Sequence, residues 1–390
     1  MFVSACCLFS CKEEKTSFEH WIEENGFNDS LYHEALKNRF SEDDSALICH
    51  SGFNFFDTLA VFYSGRNYEP LFTKAITDSI TIDTLLFYFD KSTGHGLLPG
   101  MFDSELIRWL REEYLHKALK DSVIDYDLLA TLELTLANAT LKYSLGMQCG
   151  FTDPNELYGK SYNLPFRGPD SLKWFTVFEE EDLGKYFRSI APSAVRYKEL
   201  QKALAWYYRL RELGGWDSIP YTDPDIKIEF GDTTGILDTV AQRLLVTGEL
   251  EDAYRDSAFP AYDSSLFKAV KRYQLLNGLL ADGVIGRRTL DEMNTPVDNR
   301  IRQICVNLER FRWLTYPPDS GQFVLVNIPE FHLYGYDNGK VKVDMHVCVG
   351  EKRDKNYDER MKRWLKTKKK WDKPNNHETP CMEGRITHFI

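Results

Sequence analysis

The sequence predicts an α+β protein, in which a mainly α-helical scaffold and a small three-helix domain precede the beginning of a mostly β domain. Apolar residues recur at helical spacing from residue 17 to about residue 228, and glycines divide residues 264–294 into short helices. From Gln322 onward, apolar and polar residues alternate as in strands. The predicted regions are a leading segment (1–16), the scaffold (17–228), the three-helix domain (229–295), a returning helix with a linker (296–321) and the N-terminal part of the β domain (322–390).

The composition limits the function classes. The chain has 390 residues and a formal net charge of −11. A general nucleic-acid binder needs a basic surface for the phosphate groups, so nucleic acid is not an expected partner. No stretch approaches the ~18 consecutive apolar residues that cross a bilayer. The eight cysteines form no CxxC pair and no Cys/His metal spacing, so no metal site is expected.

The first residues predict a lipid attachment site. The run MFVSACCLFSCKEEK is apolar up to Cys11 and charged after it, which resembles the lipobox of bacterial lipoproteins. In such a signal the cysteine, here Cys11, is acylated and becomes the mature N-terminus. A complete signal has a basic start and a longer apolar core, so we expect the true start upstream of Met1. The alternative interpretation is an apolar terminus without a targeting role.

The helices of the scaffold are predicted from the spacing of their apolar residues. The clearest are residues 53–63, 102–119, 125–143 and 195–213, the last ended by Gly214 and Gly215. We interpret the many tyrosines of this region as core residues rather than as a sugar-stacking surface. His95 is followed by Gly96 and Leu97, where a His-Gly-Cys nucleophile motif has a cysteine. His95 is therefore interpreted as a loop residue.

Residues 264–294 predict two helices separated by a tight turn. The first helix is expected to end at Asn277 and Gly278, and the second to begin after Gly286, with a turn at Asp282-Gly283 between them. A third short helix comes earlier in the chain and is expected to end at Gly248. The three helices together predict a compact domain with a groove.

This run resembles the peptidoglycan-binding domain of cell-wall enzymes, whose pattern is VKxYQxxxGLxxDGxxGxxTL. The resemblance implies peptidoglycan as a partner, and Tyr273, Gln274 and Asp282 are expected to contribute to substrate binding in the groove. The same three residues could instead serve only the fold of the domain. The residues that match the pattern are Val270, Lys271, Tyr273, Gln274, Gly278, Leu279, Asp282, Gly283, Gly286, Thr289 and Leu290.

The chain after this domain predicts one more helix and then strands. Thr295 is expected to cap the helix, with Pro296 at the first helical position. Residues 322–328, 331–336 and 340–349 alternate as strands, and Asn338-Gly339 is typical of a type I′ hairpin turn. We interpret the charged residues 351–378 as a solvated insertion with a helix at 357–369, rather than as a surface for anionic wall polymer. Residues 379–390 are expected to return to the sheet.

The order of these parts resembles the scaffold-bearing L,D-transpeptidases of the bacterial periplasm, the YcbB-like family. The resemblance rests on FYSGRNYEP, HGLLP, YKELQKALAWYYRLRELGGWDSIP, NLERFRW and VNIPEFHLYGY. It implies a YkuD-type catalytic domain in which a cysteine thiolate attacks a stem tetrapeptide, D-Ala leaves, and the side-chain amine of a neighbouring stem resolves the thioester as a 3→3 crosslink. It further implies peptidoglycan stem peptides and glycan as partners, no cofactor, and a periplasmic location at the membrane through a lipid on Cys11.

The nucleophile motif of that family does not occur in this sequence. In the family the cysteine lies in a Ser/Thr-His-Gly-Cys run, and the 390 residues contain no such run. Cys348 and Cys381 lack a preceding His-Gly, so no residue is assigned a catalytic role. The first hypothesis is a transpeptidase fragment whose active site lies past Ile390, and the alternative is a non-catalytic peptidoglycan-binding lipoprotein. A third hypothesis, an amidase or a muramidase with the same domain, is opposed by the hairpin at Asn338-Gly339.

Overall fold

A computed structural model describes most of the chain. The described residues are 26–41, 55–72, 79–121, 124–158, 162–164, 171–314, 321–351, 355–374 and 377–384. Cys11, the predicted lipidation residue, lies outside them. The chain divides into two compact units, each built from two stretches. Unit 1 consists of Met1–Phe151 and Gly168–Ser193, and unit 2 of Thr152–Arg167 and Ala194–Ile390.

Helices account for most of the described residues, and none of these helices is both long and apolar enough to cross a membrane. In chain order they are α1 (Asp29–Ser41), α2 (Phe56–Gly65), α3 (Ser79–Asp90), α4 (Ser104–Asp121), α5 (Tyr126–Cys149), α6 (Pro154–Tyr158), α7 (Leu183–Ile190), α8 (Val195–Glu212), α9 (Leu237–Thr247), α10 (Ser264–Leu276), α11 (Arg287–Met293), α12 (Val297–Trp313) and α13 (Tyr357–Thr367). The strands are β1 (Tyr162–Asn163), β2 (Lys227–Ile228), β3 (Ile285–Gly286), β4 (Gln322–Asn327), β5 (His332–Asp337), β6 (Lys340–His346) and β7 (Cys381–Met382).

Unit 1 is built around α5. The carboxylate of Asp125 caps this helix by accepting a hydrogen bond from the backbone N–H of Leu128 at 3.0 Å. Every residue from Leu132 to Met147 is buried, because α1, α4 and α7 pack around the helix. The predicted helix at residues 125–143 is therefore confirmed, and it continues to Cys149.

An acidic side chain lies inside this apolar core. Glu133 of α5 is fully buried, and its carboxylate accepts hydrogen bonds from the hydroxyls of Tyr63 (2.7 Å) and Tyr32 (3.4 Å). The backbone N–H groups of Leu71 (2.5 Å) and Phe72 (3.0 Å) donate to the same carboxylate. Burial raises the pKa of Glu133, and these hydrogen bonds oppose that effect. One carboxylate thus joins α1, α2 and the segment after α2 to the central helix.

In unit 2, α8 packs against α12. The predicted helix at residues 195–213 is confirmed to within one residue, and Gly214 and Gly215 follow it with positive φ. The prediction that Thr295 caps α12 is wrong. Pro296 is the capping residue, in an extended conformation, and the Thr295 hydroxyl donates to the carbonyl of Asp291 at 3.4 Å. The apolar cluster between the two helices contains the buried residues Tyr197, Leu204, Ile301, Ile304 and Leu308.

The three short helices predicted near residues 229–295 are present as α9, α10 and α11, and they share one apolar core. Ile219 and Ile228 belong to the same core, and β2 pairs antiparallel with β3. The packed region therefore begins before residue 229. We refer to residues 219–293 as the module.

Strands β4, β5 and β6 form an antiparallel sheet in sequential order. Asn338 (φ +47°) and Gly339 (φ +74°) join β5 to β6, and both have the positive φ that a type I′ turn requires. The predicted hairpin is therefore confirmed. The identity of this sheet as the start of a catalytic domain stays a prediction.

The predicted return of residues 379–390 to this sheet is wrong where the structure describes it. Strand β7 pairs in parallel with β1 in a separate two-stranded sheet. Alternation of apolar and polar residues can predict a strand, but it does not determine which edge the strand joins. The charged insertion before β7 contains α13, which ends at Thr367 and has no buried residue.

One face of the three-stranded sheet is apolar and exposed. Its residues Val324, Val326, Val343 and Met345 are between 42% and 52% exposed. No residue of the three strands is buried. Within the described residues the outer edges of β4 and β6 have no strand partner, and an exposed apolar face beside such edges favours pairing with another chain.

We expect the 390-residue chain to self-associate through this face. Replacing Val326 and Val343 together with glutamate places charges on the face, so the double variant should sediment as a monomer where the parent forms larger species. Removing the residues after Pro318 should have the same effect. The matched control is Val61→Glu, at an exposed valine of α2, which should sediment like the parent. A parent chain that is already monomeric at the same concentration contradicts this prediction.

Candidate functional site

Helix α10 positions the residues that the sequence predicted as a binding site. Its N-terminus is capped by Asp263, whose carboxylate accepts hydrogen bonds from the backbone N–H groups of Ser265 (3.0 Å) and Leu266 (2.9 Å). Its inward face packs in the module core and ends with Tyr273 and Gln274, both buried. Asn277 and Gly278 were predicted to end this helix. Gly278 has the positive φ of a left-handed helix end, whereas Asn277 has a negative φ.

Gln274 holds the loop between α10 and α11. Its side-chain oxygen accepts a hydrogen bond from the backbone N–H of Gly283 at 2.8 Å. Its amide nitrogen donates to Asp282 (3.1 Å), to the carbonyl of Val284 (2.9 Å) and to the hydroxyl of Thr289 (3.2 Å). With its side chain 1% exposed, Gln274 is placed to stabilise the module.

Asp282 stabilises the same loop from outside. Its exposed carboxylate accepts hydrogen bonds from the side chain of Gln274 and from the backbone N–H of Val284 at 2.9 Å. The structure thus gives Gln274 and Asp282 a role in the fold of the module. Their contact with peptidoglycan stays a prediction.

Tyr273 lies at a cavity of about 210 Å³ between α8 and the module. Its side chain is 1% exposed, and its hydroxyl has no hydrogen-bond partner among the described residues. Burial raises the pKa of Tyr273 to about 12, so the hydroxyl keeps its proton at neutral pH. The cavity is lined by Trp206 and Tyr207 of α8 and by Arg243, Thr247, Glu249, Tyr273, Leu276 and Asn277 of the module.

Arg243 supplies the positive charge of this cavity. Its guanidinium carbon lies 3.7 Å from the centre of the Trp216 ring, which is a cation–π contact. Its Nε donates to the carbonyl of Met293 at 3.0 Å, and its Nη1 donates to the hydroxyl of Thr247 at 2.8 Å. Burial lowers the pKa of Arg243, but an arginine keeps its charge at neutral pH. The side chain is fixed in place by contacts on several sides.

Glu249 supplies the opposite charge. It is 8% exposed, and its carboxylate accepts a hydrogen bond from the hydroxyl of Thr247. Burial is the largest influence on the pKa of Glu249 and leaves it raised. The hydrogen bond from Thr247 and the charge of Arg243 act in the opposite direction but are weaker. The two charged groups are linked through Thr247, so the cavity carries one cation and one carboxylate side by side.

Most of this cavity was not predicted from the sequence. The tyrosines of this region were interpreted as core residues, whereas Tyr207 is only half-buried and lines the cavity beside Trp206, which is 39% exposed. A signal was present in the order Trp206-Tyr207-Tyr208, since three consecutive residues of a helix cannot all face one side. Arg243 and Glu249 carried no such signal, because their burial depends on the tertiary packing of the module.

Two family models match separate parts of this chain. The model of a "Scaffold domain" matches residues 57–204, and the model of a "Putative peptidoglycan binding domain" matches residues 241–293. The chain carries a peptidoglycan-binding domain. That domain associates the protein with the cell wall, and it coincides with α9, α10 and α11. No curated protein matches the chain.

Proposed function

We propose that this chain binds peptidoglycan through the module and belongs to a scaffold-bearing L,D-transpeptidase of the YcbB-like type. The observation that carries the proposal is the order of the matched parts, with the scaffold domain before the peptidoglycan-binding domain. The antiparallel strands β4 to β6 follow, at the place where that family begins its catalytic domain. A periplasmic location and a lipid on Cys11 are part of the same proposal.

The chemistry in this proposal is acyl transfer through a cysteine, which needs a thiolate. No described cysteine is assigned that role. Cys348 is exposed and has no preceding His-Gly, and burial raises the pKa of the Cys381 thiol. A raised pKa keeps a thiol protonated at neutral pH, which is the opposite of what a nucleophile requires.

The gene sequence beyond codon 390 separates the transpeptidase from the alternative function. An open frame that reaches a Ser/Thr-His-Gly-Cys run within about 150 residues, roughly one domain's length, supports the transpeptidase. A stop codon directly after Ile390 contradicts it and leaves a non-catalytic peptidoglycan-binding lipoprotein as the better account.

Peptidoglycan binding itself is tested with the full chain and purified sacculi. We expect the protein to sediment with the sacculi and to be released by soluble fragments of digested peptidoglycan, because such fragments compete for the module. Microcrystalline cellulose is the matched control, since it is an insoluble polysaccharide without amino sugars or stem peptides. Equal retention on cellulose and on sacculi, or no release by the fragments, contradicts the proposal.

A further inference from the structure

Residues 355–373, which we call the basic segment, carry a strong positive charge in an acidic protein. Nine of these residues are Lys or Arg and three are Asp or Glu, whereas the whole chain has 48 Lys and Arg against 59 Asp and Glu. The ion pairs among the described residues join other parts of the chain, and none of them includes a lysine of the basic segment. The charge of these lysines is therefore available to an anionic partner.

The basic segment is folded, so its charge is concentrated rather than spread along an extended loop. Helix α13 packs against the 3₁₀ turn Lys370–Asp372 that follows it, and the hydroxyl of Thr367 donates to the carboxylate of Asp372 at 2.6 Å. The ammonium groups of Lys368 and Lys373 lie 4.9 Å and 5.5 Å from the centre of the Trp364 ring, in cation–π contacts. Lysines from both sides of the turn are thus held at one aromatic side chain.

The basic segment also exposes large apolar side chains. Leu365 is 53% exposed and Trp371 is 75% exposed, and no residue of α13 or of the turn is buried. Lys362 and Lys366 lie on the side of α13 opposite to its apolar residues. Those apolar residues recur at the spacing of one helix face and are Tyr357, Met361, Trp364 and Leu365. A partner of this segment therefore meets apolar surface and positive charge together.

The surface of an anionic phospholipid bilayer matches both properties. Lysines near such a surface are attracted to its phosphate groups, and leucine and tryptophan side chains enter the boundary between headgroups and acyl chains. A polyanion in water, such as a carboxylate-bearing wall polymer, matches the charge but offers no apolar phase to Leu365 and Trp371. We propose that the basic segment binds the surface of a bilayer that contains anionic phospholipid. This inference goes beyond the proposed function, and it does not depend on a lipid at Cys11.

The experiment is flotation of the full chain with lipid vesicles on a density gradient, in which bound protein rises and aggregated protein sinks. Every sample carries Cys11→Ser, so that no acyl chain contributes to binding. We expect the protein to float with vesicles of equal parts phosphatidylcholine and phosphatidylglycerol, and not with vesicles of phosphatidylcholine alone. Raising the salt from about 0.1 M to about 1 M shortens the Debye length from about 10 Å to about 3 Å and should release most of the protein.

Two variants test the charge and the apolar contact separately. Lys366→Gln, Lys369→Gln and Lys370→Gln together should weaken binding roughly a hundred-fold, at about five-fold for each lysine lost. Trp371→Ala should weaken it about ten-fold, because the ring no longer leaves water on binding. Both variants should keep the melting temperature of the parent, since all four side chains are exposed.

Lys37→Gln, Lys120→Gln and Lys198→Gln together form the matched control, because they remove the same charge at exposed positions outside the basic segment. This control should float like the parent. Equal flotation with neutral and anionic vesicles overturns the inference, as does full binding by the triple variant of the basic segment. Flotation that Trp371→Ala leaves unchanged means that the segment binds any polyanion, which also overturns it. Retention on sacculi tests the proposed function alone, so the failure of one is distinguishable from the failure of the other.

Discussion

Replacing Glu133 with glutamine is expected to lower the free energy of unfolding by about 3–5 kcal/mol, because two buried donors lose their acceptor at about 1–3 kcal/mol each. Four donors point at the two carboxylate oxygens, from Tyr32, Tyr63 and the backbone of Leu71 and Phe72. A glutamine side chain has one oxygen, so its NH₂ group must face donors instead of accepting from them. The full burial of the site prevents water from restoring the lost bonds.

Thermal and urea unfolding of the full chain measure this effect. Glu112→Gln is the matched control, because Glu112 is exposed on α4 and its substitution should change the unfolding free energy by less than about 0.5 kcal/mol. Tyr63→Phe removes one donor and should show an intermediate loss of about 1.5–3 kcal/mol, typical of a hydrogen bond to a charged group. A Glu133→Gln variant that unfolds like the parent means that the network does not hold unit 1 together.

Replacing Gln274 with leucine is expected to destabilise the module by about 2–4 kcal/mol, since the buried N–H of Gly283 and the carbonyl of Val284 lose a partner. Leucine has nearly the same size, so the effect comes from hydrogen bonds rather than from a cavity. Gln242→Leu, at an exposed position of α9, is the matched control and should be close to neutral.

The Gln274→Leu variant also separates the two roles that the sequence allowed for this residue. If Gln274 stabilises the fold, the variant should have a lower unfolding temperature and should be retained less on sacculi near that temperature. Its retention should then recover when the sample is cooled below the lowered unfolding temperature. If retention is lost while the unfolding transition is unchanged, Gln274 contacts the polymer directly. That result contradicts the role that its burial and four hydrogen bonds indicate.

The parts of the fold that the sequence predicted well are those with local physical causes. A positive φ at Asn338 and Gly339 depends on those residues alone, and the hairpin has the predicted turn. The αL conformation at Gly248 ends α9 for the same kind of reason. The cap of α12 was missed because Thr295 and Pro296 both favour helix starts, and only the packed structure shows which of them occupies the capping position.

The parts that could not be predicted depend on contacts between distant residues. The cavity joins Trp206, Arg243 and Tyr273, whose separation along the chain leaves no spacing pattern. The pairing of β7 with β1 likewise joins residues that no local signal relates. The motif of the module includes Tyr273 and Gln274, but it does not indicate whether their side chains face solvent, as ligand-binding residues would, or the core. Their burial had to be observed.

The division of unit 1 into two stretches has a consequence for synthesis on the ribosome. Val177 and Phe187 come from the second stretch, yet both are buried in the core of unit 1, where the Phe187 ring packs edge-on against Tyr143 at 4.8 Å. A chain emerging N-terminus first therefore presents α5 before these side chains exist to cover it. Folding of unit 1 therefore cannot be completed when only the chain up to Phe151 has left the ribosome. Apolar surface of unit 1 stays accessible to a chaperone until residues 152–167 of unit 2 and then residues 168–193 of unit 1 have also been synthesised.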